Sequence, residues 1–214
     1  MSASDLRAGT VASAIREHRL IVVLRRIEPR DRLLSLLTEL ADAGVRAFEI
    51  TMDGTLAADD LAAARSHLAS RSDGPFLAGA GTILRRDQLD AARQAGADFG
   101  VSPLLDPELV TASLESGLPF MPGAMTPTEA AAAWEAGATF VKLFPASAVG
   151  PSFVRELRGP LPDVALIPTG GIDGGNARAF LDAGAGAVGI GGAIVRASAK
   201  ERAAIVRSLL EPRS

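Results

Sequence analysis

The chain has 214 residues, 48% of them apolar, with a formal net charge of −3 and a pI of about 5.5. That length holds one large domain or two small ones and can bury a sizeable core, while the mild acidity gives no electrostatic footprint for nucleic acid or an anionic membrane. The absence of cysteine excludes a disulfide framework, a thiolate nucleophile and a Cys-based metal site, and two histidines, His18 and His67, leave little for a His-rich one.

The first 20 residues, MSASDLRAGTVASAIREHRL, are interrupted by charge every few positions. They lack the continuous apolar core of a signal peptide and read instead as a leading helix near 3–17. No stretch reaches the ~18 uninterrupted apolar residues of a membrane span, so a cytoplasmic protein is expected. Eight short apolar runs follow: LIVVL (20–24), AFEIT (47–51), FLAGAG (76–81), DFGVS (98–102), LPFMPG (118–123), TFVKLF (139–144), VALIPT (164–169) and AVGIG (187–191). Runs this short fit buried parallel strands better than helices. Helical patterns lie between them at 31–44, 85–97, 106–117, 126–138 and 174–185. Several start on Asp or Thr with Pro in the first turn, and the first ends on Gly. Both histidines fall in expected helices and should face water.

The phrase helix, Ala-Gly-Ala or Ala-Gly-Val, strand recurs in ADAGVRAFEI, RQAGADFGVS, WEAGATFVKLF and DAGAGAVGI. It is a βα unit repeated, with Gly stopping each helix. Eight such units predict an α/β protein with a (β/α)8 TIM barrel, an extra N-terminal helix and a single domain over 1–214. The runner-up, an open doubly wound sheet, would normally show a dinucleotide fingerprint near the start, and there is none.

In a barrel the chemistry sits at the C-terminal ends of the strands. The chain contains only two lysines, Lys142 and Lys200, against 20 arginines, yet one of the two lies inside the apolar run FVKLF. Strand alternation puts Lys142 on the face of Phe140 and Phe144, opposite Val141 and Leu143, and so into the barrel. Burial favours a neutral amine, which is a nucleophile; arginine cannot serve, because it stays protonated. Glu49, inside AFEIT, is costly in apolar surroundings unless paired or employed. A structural ion pair with Lys142 and a general acid/base role are both open, and they are compatible. Arg25 and Arg26 end the first strand, and one of them is expected to aim at the mouth and grip a carboxylate in two-pronged fashion. Glycine-rich turns, IPTGGIDGGN (167–176) and GIGGAIV (189–195), follow the seventh and eighth strands, where barrels often bind phosphate through backbone N–H groups. An amine, an acid, a carboxylate-binding arginine and a phosphate cradle at one mouth describe a metal-free Schiff-base aldolase acting on a phosphorylated 2-oxo acid. No cofactor, nucleic acid or membrane partner is implied.

The segments LIVVLRR, FEIT (48–51), GAGT (79–82), VSP (101–103), MPG (121–123), VKLFPA (141–146) and PTGGI (168–172), in that order, resemble the 2-keto-3-deoxy-6-phosphogluconate and 4-hydroxy-2-oxoglutarate aldolase family, including its 2-keto-3-deoxy-6-phosphogalactonate branch. The resemblance spans nearly the whole chain. It implies a class I aldolase, usually trimeric, that splits a phosphorylated 2-keto-3-deoxy sugar acid into pyruvate and glyceraldehyde 3-phosphate. By resemblance Lys142 is the Schiff-base lysine and Glu49 the acid/base. Thr82 and Pro103 match positions around the pyruvate carboxylate and Phe144 the aromatic wall beside the lysine. Gly170, Gly171, Gly191 and Gly192 match the phosphate loops.

Two departures stand out. Gluconate-type members usually carry Arg four residues after the Glu; here Asp53 stands there and cannot bind a carboxylate. Arg25, which matches an arginine of the galactonate branch, is expected to replace it. Many members carry Ser after the last Gly pair, where this chain has Ala193, so a hydroxyl is missing from the expected phosphate loop. Gluconate and galactonate substrates stay open, as does a 4-hydroxy-2-oxoglutarate substrate. The rivals outside the family are a phosphate-binding barrel isomerase or synthase, which needs no buried lysine and would show a catalytic Asp, Cys or His at a strand end, and a non-catalytic barrel, which would have lost Lys or Glu.

Overall fold

The computed structural model describes residues 3–210, with side chains from residue 6 onward. A leading helix, α1 (Ala3–His18), precedes alternating strands and helices: β1 (Leu20–Leu24), α2 (Arg30–Asp42), β2 (Ala47–Thr51), α3 (Ala57–Ala69), β3 (Leu77–Gly81), α4 (Arg86–Gln94), β4 (Gly100–Val101), α5 (Pro107–Glu115), β5 (Phe120–Met121), β6 (Gly123–Ala124), α6 (Pro127–Glu135), β7 (Val141–Leu143), α7 (Gly150–Leu157), β8 (Leu166–Pro168), α8 (Ala177–Asp182), β9 (Val188–Ile190), α9 (Gly192–Arg196) and α10 (Ala199–Leu210). Every strand pairing is parallel. Six strands form one curled sheet in the order β5-β4-β3-β2-β1-β9, and three form a second in the order β6-β7-β8.

The two sheets follow one another around the molecule, giving a TIM-barrel-like arrangement. The fifth apolar run is one extended stretch broken at Pro122, which lacks the N–H a ladder needs. Its first half pairs with β4 and its second with β7. On the other side a bridge between Thr169 and Gly189 links the end of β8 to β9. The expected strands therefore sit where the apolar runs are, with the fifth split in two.

Helix boundaries follow local chemistry. Asp106 caps α5, its Oδ1 accepting from Glu108 N at 2.9 Å, with Pro107 in the first turn. Thr126 and Glu129 form a capping box at the start of α6. The repeated Ala-Gly stop works through backbone handedness. After α2, Gly44 takes φ +103°, donates to Ala41 O at 2.9 Å and releases Val45 toward β2. Gly96, Gly137 and Gly184 have the same sign of φ in the other three repeats.

Two cores result. The larger lies between strands and helices and takes the outward-facing residues Leu20, Val22, Leu24, Val141 and Leu143 with the buried leucines of α2. The smaller fills the inside near the N-terminal ends of the strands. There Ile21, Ala47, Phe99, Met121 and Phe140 meet Val11, Ala12 and Ile15 of α1, and the Arg16 guanidinium lies 5.0 Å from the Phe140 ring centroid. The leading helix thus plugs the end opposite the expected site. The histidines depart from expectation: both are partly buried rather than facing water. His67 shares a 2.8 Å hydrogen bond with the Thr38 hydroxyl.

Candidate active site

Lys142 is the middle residue of β7, held by its N–H to Pro122 O at 2.9 Å and in register between Gly123 and Ile167. Its side chain is 6% exposed and that of Glu49 3%. Glu49 sits at the centre of β2, between Val23 of β1 and Gly79 of β3. Lys142 Nζ lies 3.4 Å from Glu49 Oε1 and 5.5 Å from the centroid of the Phe144 ring. Strand alternation delivers all three side chains to the inside. Gly81 makes the room: a Cβ there would overlap the Glu49 carboxylate. Such a buried pair is a weak source of stability, since removing two charges from water offsets most of their attraction. Its presence points to use.

Above this pair, Arg25 spans the ends of three strands. Its NH1 donates to Asp53 Oδ2 at 2.8 Å and its NH2 to Thr82 Oγ1 at 3.0 Å. Arg26 contacts the same carboxylate, Nε to Oδ2 at 3.3 Å, and donates from NH2 to the Asp53 carbonyl at 3.1 Å. Burial works to raise the Asp53 carboxyl, but the Thr51 hydroxyl and the Arg25 and Arg26 cations outweigh it and hold it below its ordinary value. Thr51 Oγ1 and Asp53 Oδ1 are buried, and neither has a hydrogen bond of good geometry. Thr82, buried just past β3, takes φ +56°. That conformation is uncommon for a β-branched residue and marks a tightly determined corner.

A cavity of about 360 Å³ opens over the lysine, lined by Lys142, Phe144, Arg25 and Thr169. Its far wall is made by Gly170, Gly171, Gly191, Gly192, Ala193 and Arg196. Gly170 and Gly171 both have positive φ. A Cβ on Gly170 would meet the Phe144 ring at 2.9 Å, so glycine keeps that ring flush against the loop. Below, a space of about 10 Å³ lies among Glu49, Lys142, Thr169 and apolar neighbours, near the smallest that holds one water. Among the described residues, no cluster of three or more His, Cys, Asp or Glu could hold a metal ion.

Most of the residues expected from sequence therefore converge. Lys142, Arg25, Phe144 and the four glycines line the cavity, Glu49 lies in the deeper space, and Thr82 reaches the site through Arg25. Pro103 does not line the cavity. Its carbonyl packs against Gly123, on the opposite side from the glycine loops. Two residues, Thr169 and Arg196, escaped the sequence reading, and the role of a third, Asp53, was missed. Thr169 lines both spaces, and its position two beyond Ile167 on the inward face is the signal that could have found it. Asp53 anchors Arg25. Arg196 stands on the outer wall, beyond the strand that carried the glycine signal.

Comparison with known proteins gives a consistent answer. The family model for KDPG and KHG aldolases matches residues 11–208. A 2-dehydro-3-deoxy-6-phosphogalactonate aldolase of Escherichia coli (strain K12) is 34% identical over 199 residues, covering 90% of this chain and 95% of that protein. A 2-dehydro-3-deoxy-phosphogluconate aldolase of Haemophilus influenzae is 36% identical over 172 residues, covering 80% and 78%. Among solved structures, a KDPG aldolase of Legionella pneumophila, with pyruvate captured at low pH as a covalent carbinolamine intermediate, superposes with a TM-score of 0.80. It is 27% identical, and the match covers 93% of this chain and 96% of that one.

Proposed function

The chain belongs to the KDPG and KHG aldolase family, and on that premise we propose how its own residues divide the work of a class I aldolase. It is a carbon–carbon lyase that cleaves a 2-keto-3-deoxy-6-phospho sugar acid to pyruvate and glyceraldehyde 3-phosphate. The amine of Lys142 attacks the C2 ketone. Loss of water from the carbinolamine leaves an iminium, into which the electrons of the C3–C4 bond flow as the C4 hydroxyl gives up its proton. Glyceraldehyde 3-phosphate departs, and the remaining enamine takes a proton at its terminal carbon. Hydrolysis then returns pyruvate and the free amine. Glu49, 3.4 Å from the amine, moves these protons, directly at Nζ and through a water in the small space beneath it. Arg25 and Thr82 hold the carboxylate next to the ketone, with Pro103 shaping the backbone nearby. Phe144 walls the lysine, and Gly170, Gly171, Gly191 and Gly192 receive the phosphate through backbone donors.

The observation that carries this reading is a buried Lys–Glu contact opening onto a cavity that Arg25 also lines. Trapping tests it. Borohydride added with pyruvate should leave a reduced pyruvyl adduct, and peptide mass mapping should place it on Lys142. A folded sample that traps nothing would make Lys142 a structural cation and bring a phosphate-barrel isomerase forward.

The fold reading that accompanies this is a complete (β/α)8 barrel, one domain over 1–214, closed below by α1. Its support is the Pro122 break and the 169–189 bridge. We also read the protein as cytoplasmic and trimeric. No helix among the described residues is long and apolar enough to cross a membrane. Exposed Leu56, Leu84, Leu104 and Met125 stand on loops after β2, β3, β4 and β6, an apolar row that suits a second copy. Sedimentation as a monomer at micromolar concentration would remove the trimer.

A further inference from the structure

We infer that Arg196 sets the preference for a phosphorylated substrate, supplying at the outer wall of the cavity the interaction that Ala193 lacks. The inference rests on the aldolase reading above. Three observations lead to it. First, the Arg196 guanidinium folds back across the backbone of α9: its NH1 lies 2.5 Å, its Cζ 3.3 Å and its NH2 3.4 Å from where a Cβ on Gly192 would stand. Glycine at 192 is what lets the fork lie there, and the fork then lines the same cavity as Lys142. Second, among the described residues Arg196 has no carboxylate partner, unlike Arg25, Arg30, Arg71 or Arg202. Its donors are available. Third, the cavity's ionisable lining is Lys142, Arg25 and Arg196 against one acid, Asp173. Asp173 is already engaged, its Oδ1 accepting from Gly175 N at 2.8 Å and Asn176 N at 3.1 Å.

The position of Arg196 fixes the ligand class. It also lines an adjoining open groove with Asp173, Ala193 and Glu201, a groove that Lys142 does not reach. The arginine therefore stands at the outer end of the cavity, where the tail of a substrate held at C2 by Lys142 must lie. A tail ending in a phosphate dianion presents the oxygens that a guanidinium binds two at a time. Ala193 offers only its backbone on the same wall, and Arg196, three residues further along α9, brings the missing donors.

The test compares aldehydes in the condensation direction, with pyruvate as the common partner. Arg196→Ala should lower kcat/KM for glyceraldehyde 3-phosphate by about 10- to 100-fold, the range for one lost charge-assisted pair. It should leave unphosphorylated glyceraldehyde and pyruvate methyl-proton exchange unchanged. Arg196→Lys should restore part of the preference, with a stronger dependence on salt. An unchanged ratio between the two aldehydes in Arg196→Ala, with exchange intact, would overturn the role of Arg196 and leave the aldolase standing. A wild-type protein that exchanges pyruvate protons but does not distinguish the aldehydes would do the same. Absence of exchange in the wild type would sink the Schiff-base reading and this inference with it.

Discussion

Asp53 offers the sharpest test of how the carboxylate end is built. Asp53→Asn keeps the shape of the side chain and removes its charge. Asp53 Oδ2 meets Arg25 NH1 at 2.8 Å and Arg26 Nε at 3.3 Å, with the arginine side chains 55% and 62% exposed and the aspartate 17%. Partners that exposed are screened by solvent, so each pair is worth about 0.2–1 kcal/mol. Asn retains an acceptor, which puts the stability loss near 1 kcal/mol and the drop in Tm at about 2–4 °C for a chain of this size. The Asp53 carboxyl is held below its ordinary 3.8 by the Thr51 hydroxyl and the two arginines against the pull of burial. A depressed carboxyl contributes stability that is fully present above the unfolded value and fades as pH falls through the lower folded value. The difference between wild type and variant should therefore be full at neutral pH and shrink in acid. The larger effect is on function. Freed from Asp53, Arg25 gains rotamers and loses the orientation that points it across to Thr82, so the KM for pyruvate should rise about tenfold. Steady-state kinetics of pyruvate condensation at fixed ionic strength reads this directly. A KM that falls would mean Asp53 competes with the substrate for Arg25 rather than positioning it, and the argument would be wrong.

Three further outcomes follow from the inner pair. Lys142→Arg should fold normally and lose both the borohydride-trapped adduct and aldol cleavage, because a guanidinium cannot become a neutral nucleophile; any retained turnover contradicts the imine. Glu49→Gln should still be trapped by borohydride but exchange pyruvate methyl protons into deuterium about 10²- to 10⁴-fold more slowly, and wild-type exchange by NMR would demote Glu49. Gly81→Ala places a methyl on the Glu49 carboxylate; overpacking of about 1–3 kcal/mol and a loss of turnover are expected together, and a variant with wild-type Tm and rate would show that Glu49 has room to move.

The sequence was most readable where one signal sufficed. The runs LIVVL and AFEIT coincide with β1 and β2 because every residue in them is buried, leaving the hydrophobic pattern nothing to compete with. Later strands are shorter than their runs: β7 keeps three residues of TFVKLF and β4 two of DFGVS, since a ladder ends where the chain turns and apolar character does not. Helices α7, α9 and α10 went unread, and α3 was expected only as the helical segment around His67, without bounds. In α3 the buried stripe is Ala57, Leu61, Ala64 and Leu68, half of it alanine and weak in contrast. At the site, Lys142 and Glu49 were legible because a charge inside an apolar run stands out. The Arg25 fork was not: its partners lie 28 and 57 positions away, and only the pairing of β1, β2 and β3 brings them together. Asp53 therefore read as the loss of an arginine, when it is the anchor of another one.

The inward columns of the strands explain why the amine is at 142. Along β1 the inward column runs from Ile21 through Val23 to Arg25, along β2 from Ala47 through Glu49 to Thr51, and around β7 from Phe140 through Lys142 to Phe144. In each case the first member belongs to the inner apolar core, and in two of the three the last lines the open cavity. Two residues of strand rise about 6.6 Å, so one step along a column carries a side chain from the plug to the mouth. A lysine at 140 would stand in the inner apolar core with Val11 and Ile15 of α1. A lysine at 144 would stand where the aromatic wall is, farther out than Glu49. Position 142 places the buried amine 3.4 Å from Glu49 Oε1 and on the wall of the cavity where a ketone can arrive. The apolar layer below and the cation-rimmed layer above thus act together: the first closes the inner end beneath the small space beside Glu49, and the second brings the charged substrate to the amine from the other side.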